Sequence, residues 1–246
     1  MNVAQSAIRQ SPLLVRAGDI SFRRRGLMLP IAVVLLLVPS PQLSSNIALM
    51  ACLGLGAALL GQFIRSATVG LAYIIRGGRD HRVYAEQLVT GGLYSHCRNP
   101  MYVGNFFLIL GLALASNSWV FALVGVPLAL AMHRAIVAAE EHFLRGRFGA
   151  EFDAYCARVS RWVPMLKGLR ATIAGMQFDR RRVLVKEYAK PFDWLSAIAL
   201  IALVNLWRAG ELGGREWLIA LMLAVIGIRF AFWVAARRIA NSSPPD

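Results

Sequence analysis

Asn46-Ile-Ala-Leu-Met-Ala-Cys-Leu-Gly-Leu-Gly-Ala-Ala-Leu-Leu-Gly-Gln-Phe-Ile64 carries no charge, and Arg65 ends the run. Its length approaches the ~20 apolar residues that a helix needs to cross a bilayer. The same pattern recurs on both sides. Leu27 to Leu43 is an uncharged run in front of it, Met101 to Asn117 and Trp119 to Met132 follow, and Trp194 to Trp207 and Trp217 to Ala236 end the chain. Asn117-Ser118 is so short a polar break that the third and fourth runs read as a tight helical hairpin. Pro30 and Pro39 shorten or kink the first run, which reads as an uncleaved first helix rather than a leader. The expected fold is all-α: a polytopic transmembrane bundle of about six spans with both termini in the cytoplasm. Gly54, Ala58 and Gly61, and again Gly111 and Ala115, recur at helical spacing that lets backbones approach closely in lipid.

Composition agrees with this. The 246 residues are 57% apolar and 16% charged, with a mean hydropathy of +0.54, which excludes disorder and an ordinary soluble domain. The 27 Lys+Arg against 13 Asp+Glu leave a net charge of +14, a balance that elsewhere would suggest nucleic-acid binding. Position decides against it. In the six-span arrangement 24 of the 27 basic residues fall on one side, leaving Arg208 and Arg215 opposite and Arg229 inside the last run. The positive-inside rule makes that side the cytoplasm, or the cytoplasmic face of the inner membrane in a bacterium, and no nucleic-acid partner is expected. Cys52, Cys97 and Cys156 lack metal-ligand spacing and read as apolar residues, so no metal site is expected.

Two stretches on the basic side hold most of the polar chemistry. In Leu88-Val-Thr-Gly-Gly-Leu-Tyr-Ser-His-Cys-Arg-Asn-Pro-Met-Tyr-Val-Gly104, Gly91 and Gly92 permit a turn and Pro100 can start the third span. The free N–H groups of that helix start, with Arg98, suit a carboxylate or phosphate, unless Arg98 and its tyrosines only anchor a helix end. The other is His133-Arg-Ala-Ile-Val-Ala-Ala-Glu-Glu-His-Phe-Leu-Arg-Gly-Arg-Phe-Gly149, which continues the fourth span. Seven residues are nearly two turns, so His133 shares a face with Glu140 and Arg134 with Glu141. Adjacent carboxylates at a membrane helix end need a cation, either an internal arginine or a cationic ligand.

Taken together, Gly92-Leu-Tyr94, Arg98-Asn-Pro-Met-Tyr102-Val-Gly104, Glu140-Glu141, Phe148-Gly149, Tyr155, Arg161 and Pro164 resemble, in order and spacing, the membrane methyltransferases that include the isoprenylcysteine carboxyl methyltransferases and phospholipid N-methyltransferases. Asn99 stands where the usual motif has histidine. The resemblance covers roughly residues 55 to 165 and implies S-adenosyl-L-methionine bound in a cytoplasm-facing pocket. Glu140 or Glu141 would meet its amino group and ribose hydroxyls. Arg98 and the backbone near Asn99 and Pro100 would meet its carboxylate, with Tyr94, Tyr102 or Phe148 as the adenine wall. Arg161 would close the pocket or orient the acceptor. An amine acceptor must lose a proton, and His96, His133 or His142 is the expected base.

The implied division is 1–54, an N-terminal arm and first transmembrane helices; 55–166, the methyltransferase core; 167–190, a basic amphipathic segment on anionic lipid; and 191–246, a C-terminal helix pair. Partners would be a lipophilic acceptor entering from the bilayer, such as an isoprenylcysteine-type carboxylate or a phospholipid amine, together with anionic membrane lipids and a second copy in a homodimer. Arg229 would snorkel to the interface or receive a lipid phosphate. Two other readings remain. A sterol-reductase-type enzyme would read the 2′-phosphate of NADPH with Arg145, Arg147 and Arg158, and a membrane scaffold or transporter would need no catalytic site.

Overall fold

Glycine decides how the central helices meet. In the computed structural model, which describes residues 11–24, 28–72, 85, 87–210, 213–214 and 217–241, helix α3 (Ile47–Leu71) lies along α4 (Pro100–Ser116). A methyl group at Gly54 would sit 2.6 Å from the Gly111 carbonyl, and one at Gly61 would sit 2.6 Å from the Gly104 carbonyl. Ala58 lies between them, fully buried. The small residues expected from the sequence to bring backbones together are therefore the ones in contact.

The remaining helices are α1 (Pro12–Arg23), α2 (Met28–Leu37), α5 (Val126–Phe148), α6 (Ala150–Arg158), α7 (Leu169–Ala174), α8 (Arg180–Glu187), α9 (Ala189–Arg208) and α10 (Trp217–Asn241). The described residues contain no strand beyond one isolated bridge, Gln42 to Ser118. Among the described residues three stretches are long and apolar enough to cross a membrane, namely Ile47–Leu71, Phe121–Phe148 and Ala189–Arg208, with shorter apolar helices at Pro100–Ser116 and Leu223–Ala235. Before Pro127, Phe121–Gly125 widens into a π turn in which the Val126 N–H reaches back to the Phe121 carbonyl. The wider turn makes room for a proline that cannot continue an ordinary ladder.

The tight break at Asn117 appears as expected. Asn117 takes a left-handed conformation and its amide binds both the N–H and the carbonyl of Ser44, so the α4–α5 turn is fastened to the α2–α3 turn. Helix α2 ends ahead of Pro39, and Arg208 of α9 donates to the Leu36 and Val38 carbonyls at that end.

Three features depart from the sequence reading. The N-terminal arm contains a helix, α1, whose Gly18 packs directly on Ala135 and Ala139 of α5. The segment 167–190 is two short helices, broken at Gly175 and restarted where Asp179 caps α8 by accepting from the Arg182 N–H. Arg229 has a protein partner, since its guanidinium lies 2.9 Å from Asp193 of α9. Leu27, Arg9, Arg25, Arg76, Arg79, Arg82 and Arg215 lie outside the described residues.

Candidate functional site

The turn before α4 sets the site. Gly92, with φ +60°, opens a 3-10 turn over Gly92–Ser95, and a methyl group there would meet Met176 at 2.6 Å. The chain then runs beside residues 160–165: the Arg98 N–H donates to the Ser160 carbonyl (2.9 Å), the Met165 N–H to the His96 carbonyl (2.9 Å), and Asn99 Nδ2 to the Arg161 carbonyl (3.2 Å). This pairing puts Arg161 next to Arg98. Pro100 begins α4, where its missing N–H costs nothing.

Glu141 is the centre of the resulting charge cluster. Its side chain is 4% exposed and accepts two bonds from Arg161, one from Nε at 3.0 Å, while Arg98 Nη1 lies 3.3 Å away. A buried carboxylate survives only with such partners. Arg98 also touches the Cys156 sulfur, and its buried Nε has no hydrogen-bond acceptor among the described residues. One turn position away, Glu140 accepts from the Tyr102 hydroxyl at 2.9 Å. His133 meets Tyr102 edge-on, ring centroids 5.6 Å apart, so the seven-residue spacing does bring His133 and Glu140 onto one face.

Beneath this cluster, aromatic residues hold α6 in place. Phe152, Tyr155 and Val159 form a buried group against which Leu144, Phe148 and Cys156 pack, and the Tyr155 hydroxyl donates to the Tyr94 carbonyl at 2.7 Å. Burial raises the pKa of Tyr155, Cys97 and Cys156, opposed in each case by the nearby positive charge of Arg98. All three stay protonated at neutral pH. Neither thiol is poised as a nucleophile.

The expected site residues therefore separate into groups. Arg98, Asn99, Pro100, Glu141 and Arg161 meet at the start of α4, and Tyr102, Glu140 and His133 adjoin them. Tyr94 is buried beneath, and Phe148 packs on the aromatic group with Arg147 over its ring. His96 is placed elsewhere: Nδ1 lies 2.7 Å from the Met165 carbonyl and Nε2 2.9 Å from Thr172 Oγ1, so both ring nitrogens clamp the segment leading into α7. His142 is exposed. Of the three arginines suited to a 2′-phosphate, Arg145 is bound to Asp153 at 2.7 Å, Arg147 lies over Phe148 and Arg158 is exposed.

Sequence reasoning missed a second polar group. Arg65 and Glu187, each almost fully buried, pair at 2.6 Å, and Arg65 also donates to Asn105 Oδ1. Asn105 Nδ2 lies 3.2 Å from His133 Nε2. A signal existed in the sequence: Arg65 follows the uncharged run directly, and α3 continues past it to Leu71.

Comparisons with known proteins include a family model on the same segment. The model of the phospholipid methyltransferase family matches residues 49–151. A nickel-cobalt-cadmium resistance protein of Alcaligenes xylosoxydans xylosoxydans is 37% identical over 112 residues, covering 44% of this chain and 49% of that protein. A cobalt-zinc-cadmium resistance protein of Cupriavidus metallidurans is 41% identical over 104 residues, 41% of this chain and 45% of that protein. A protein-S-isoprenylcysteine O-methyltransferase of Schizosaccharomyces pombe is 29% identical over 119 residues, 46% of this chain and 48% of that protein. The chain thus spans about half the length of the curated relatives it matches. No solved structure matches it. Residues 49–151, which carry Arg98, Pro100, Tyr102, Glu140 and Glu141, thus match the phospholipid methyltransferase family model, and the chain is similar over about half its length to isoprenylcysteine methyltransferases.

Proposed function

We propose that this chain is an integral membrane methyltransferase that uses S-adenosyl-L-methionine and acts, at the cytoplasmic face, on a lipophilic acceptor. The observation that carries the reading is the meeting of Glu141 with Arg98 and Arg161 at the start of α4, with Glu140 beside it on the Tyr102 hydroxyl; all of these but Arg161 lie within the family-matched segment. The residues fit the cofactor. Arg98, with its unsatisfied buried Nε, and the first turn of α4 suit its carboxylate, and Glu140 suits its ammonium group or ribose. Tyr102, beside Glu140, supplies aromatic surface for the adenine, and Tyr94 and Phe148 are the further aromatic candidates for that wall.

When bound, the cofactor supplies a methyl group on a sulfonium for in-line displacement. The chain's own task is to hold the acceptor atom in line and keep water away. Arg161, held by Glu141, orients an acceptor carboxylate, which needs no base. For an amine acceptor, His133 takes the proton on Nε2, within the polar group that also holds Tyr102 and Glu140.

The surroundings support an acceptor that arrives from the bilayer. Trp162, Val163, Leu166, Ile173 and Phe178 are exposed apolar side chains close in sequence to Arg161, interspersed with Lys167 and Arg170. The Asp179 N–H donates to the Gly70 carbonyl at 2.9 Å, which ties this segment to the end of the α3 span. Such a segment suits the interface with anionic lipid. The apolar outer face of α10, including Leu223, Ile226 and Phe230, suits lipid or a second copy of the chain.

Isothermal titration of the detergent-solubilised full chain with S-adenosyl-L-methionine tests the pocket. Glu140→Ala and Arg98→Ala should each weaken binding by about tenfold, the ~1.4 kcal/mol of one charge-assisted hydrogen bond. Unchanged affinity in both variants would remove the pocket from the account.

A further inference from the structure

The buried pair Arg65–Glu187 has no part in the chemistry just described, and a buried ion pair is in itself a poor source of stability. Its bonds lead in one direction. Arg65 Nε donates to Glu187 Oε1 at 2.6 Å, and Arg65 Nη1 donates to Asn105 Oδ1. A guanidinium can only donate, so the Asn105 oxygen must face Arg65, and the Asn105 nitrogen is turned toward His133 Nε2, 3.2 Å away. The other side of the imidazole is fixed as well. His133 Nδ1 lies 2.8 Å from the Ala129 carbonyl, which can only accept, so Nδ1 carries the proton.

We propose that Glu187 and Arg65 are positioning residues: acting through the Asn105 amide, they hold His133 as the Nδ1–H tautomer, with an unprotonated Nε2 that accepts from Asn105 Nδ2 beside Tyr102 and Glu140. Gly104 makes the arrangement fit, since a methyl group there would lie 2.6 Å from Arg65 Cγ and push the guanidinium off α4. Glu187 lies in α8, outside the family-matched residues 49–151, so the C-terminal part of the chain completes a chain of hydrogen bonds that ends at the site. Trp194 of α9 adds a neighbouring tie, donating from Nε1 to Gln62 Oε1 at 3.1 Å. The 3.2 Å Asn105–His133 contact is at the long end of the hydrogen-bond range and is the bond that an acceptor N–H would replace.

The proposal rests on the reading of His133 as the base, but its test does not. The full chain, labelled with 15N-histidine and reconstituted in bilayers, is measured by NMR, with the His133 signals identified by their loss in His133→Gln. The expected result is one tautomer, with a protonated Nδ1 and a bare Nε2. Asn105→Leu and Glu187→Gln should each make the second tautomer visible, and Glu187→Asp should restore the first. Methyl transfer to an amine acceptor should fall about tenfold in kcat in the first two variants, with the cofactor Kd unchanged. A His133 tautomer unaltered in both Asn105→Leu and Glu187→Gln overturns the proposal, whatever the turnover. Loss of tautomer selection with full turnover upholds the relay and removes His133 from methyl transfer.

Discussion

Glu141 shows how much one side chain can fix. It is buried against two arginines from separate parts of the chain, Arg98 before α4 and Arg161 after α6. Glu141→Ala leaves those two cations facing each other without compensation. Removing one partner from a buried pair costs about 3–5 kcal/mol, and thermal unfolding of the solubilised chain should show a loss of that order. Arg161→Ala should cost less, because Arg98 still neutralises Glu141; equal losses would mean that Arg98 contributes nothing. The carboxylate pair was legible in the sequence because two adjacent acids in a basic stretch demand an explanation. Which arginine meets which acid was not legible, because it depends on the pairing of residues 96–99 with 160–165 across more than sixty positions.

At the scale of helices, small residues and proline carried most of the information. Gly54 and Gly56 are two residues apart, yet Gly54 touches Gly111 while Gly56 has open space around it. Gly54→Leu should therefore cost about 1–3 kcal/mol by overpacking, whereas Gly56→Leu should change stability by no more than about 0.5 kcal/mol. Thermal unfolding of the two variants checks this, and equal effects would contradict the α3–α4 packing. The apolar runs located α2, α3, α4, α5, α9 and α10, because lipid-length apolar stretches are a one-dimensional signal. Helix α1 was missed, since Pro12–Arg23 is short, mixed in character and defined by a tertiary contact, Gly18 against α5. The break in 167–190 was missed for a similar reason. Basic composition suggested one surface helix, while the Asp179 cap and the Gly70–Asp179 bond set where the chain turns.

For the molecule as a whole, the family-matched segment and the C-terminal helices are joined by polar contacts as well as by apolar packing. Arg65–Glu187, Gln62–Trp194 and the Asn205 side chain near the Ala115 carbonyl all cross from one part to the other. These contacts were invisible in the sequence, because each joins residues 90 or more positions apart. The excess of positive charge, counted by loop rather than in total, carries the expectation of cytoplasmic termini and loops. The proposed transfer of a methyl group onto a lipophilic acceptor is measured with the full chain in bilayers, methyl-labelled S-adenosyl-L-methionine and a fractionated lipid extract. Label is expected in an organic-soluble product and should be lost in Arg98→Ala and Glu140→Ala. Binding of the cofactor with no label transferred to any fraction, or label transfer undiminished in both variants, would contradict the proposed transfer.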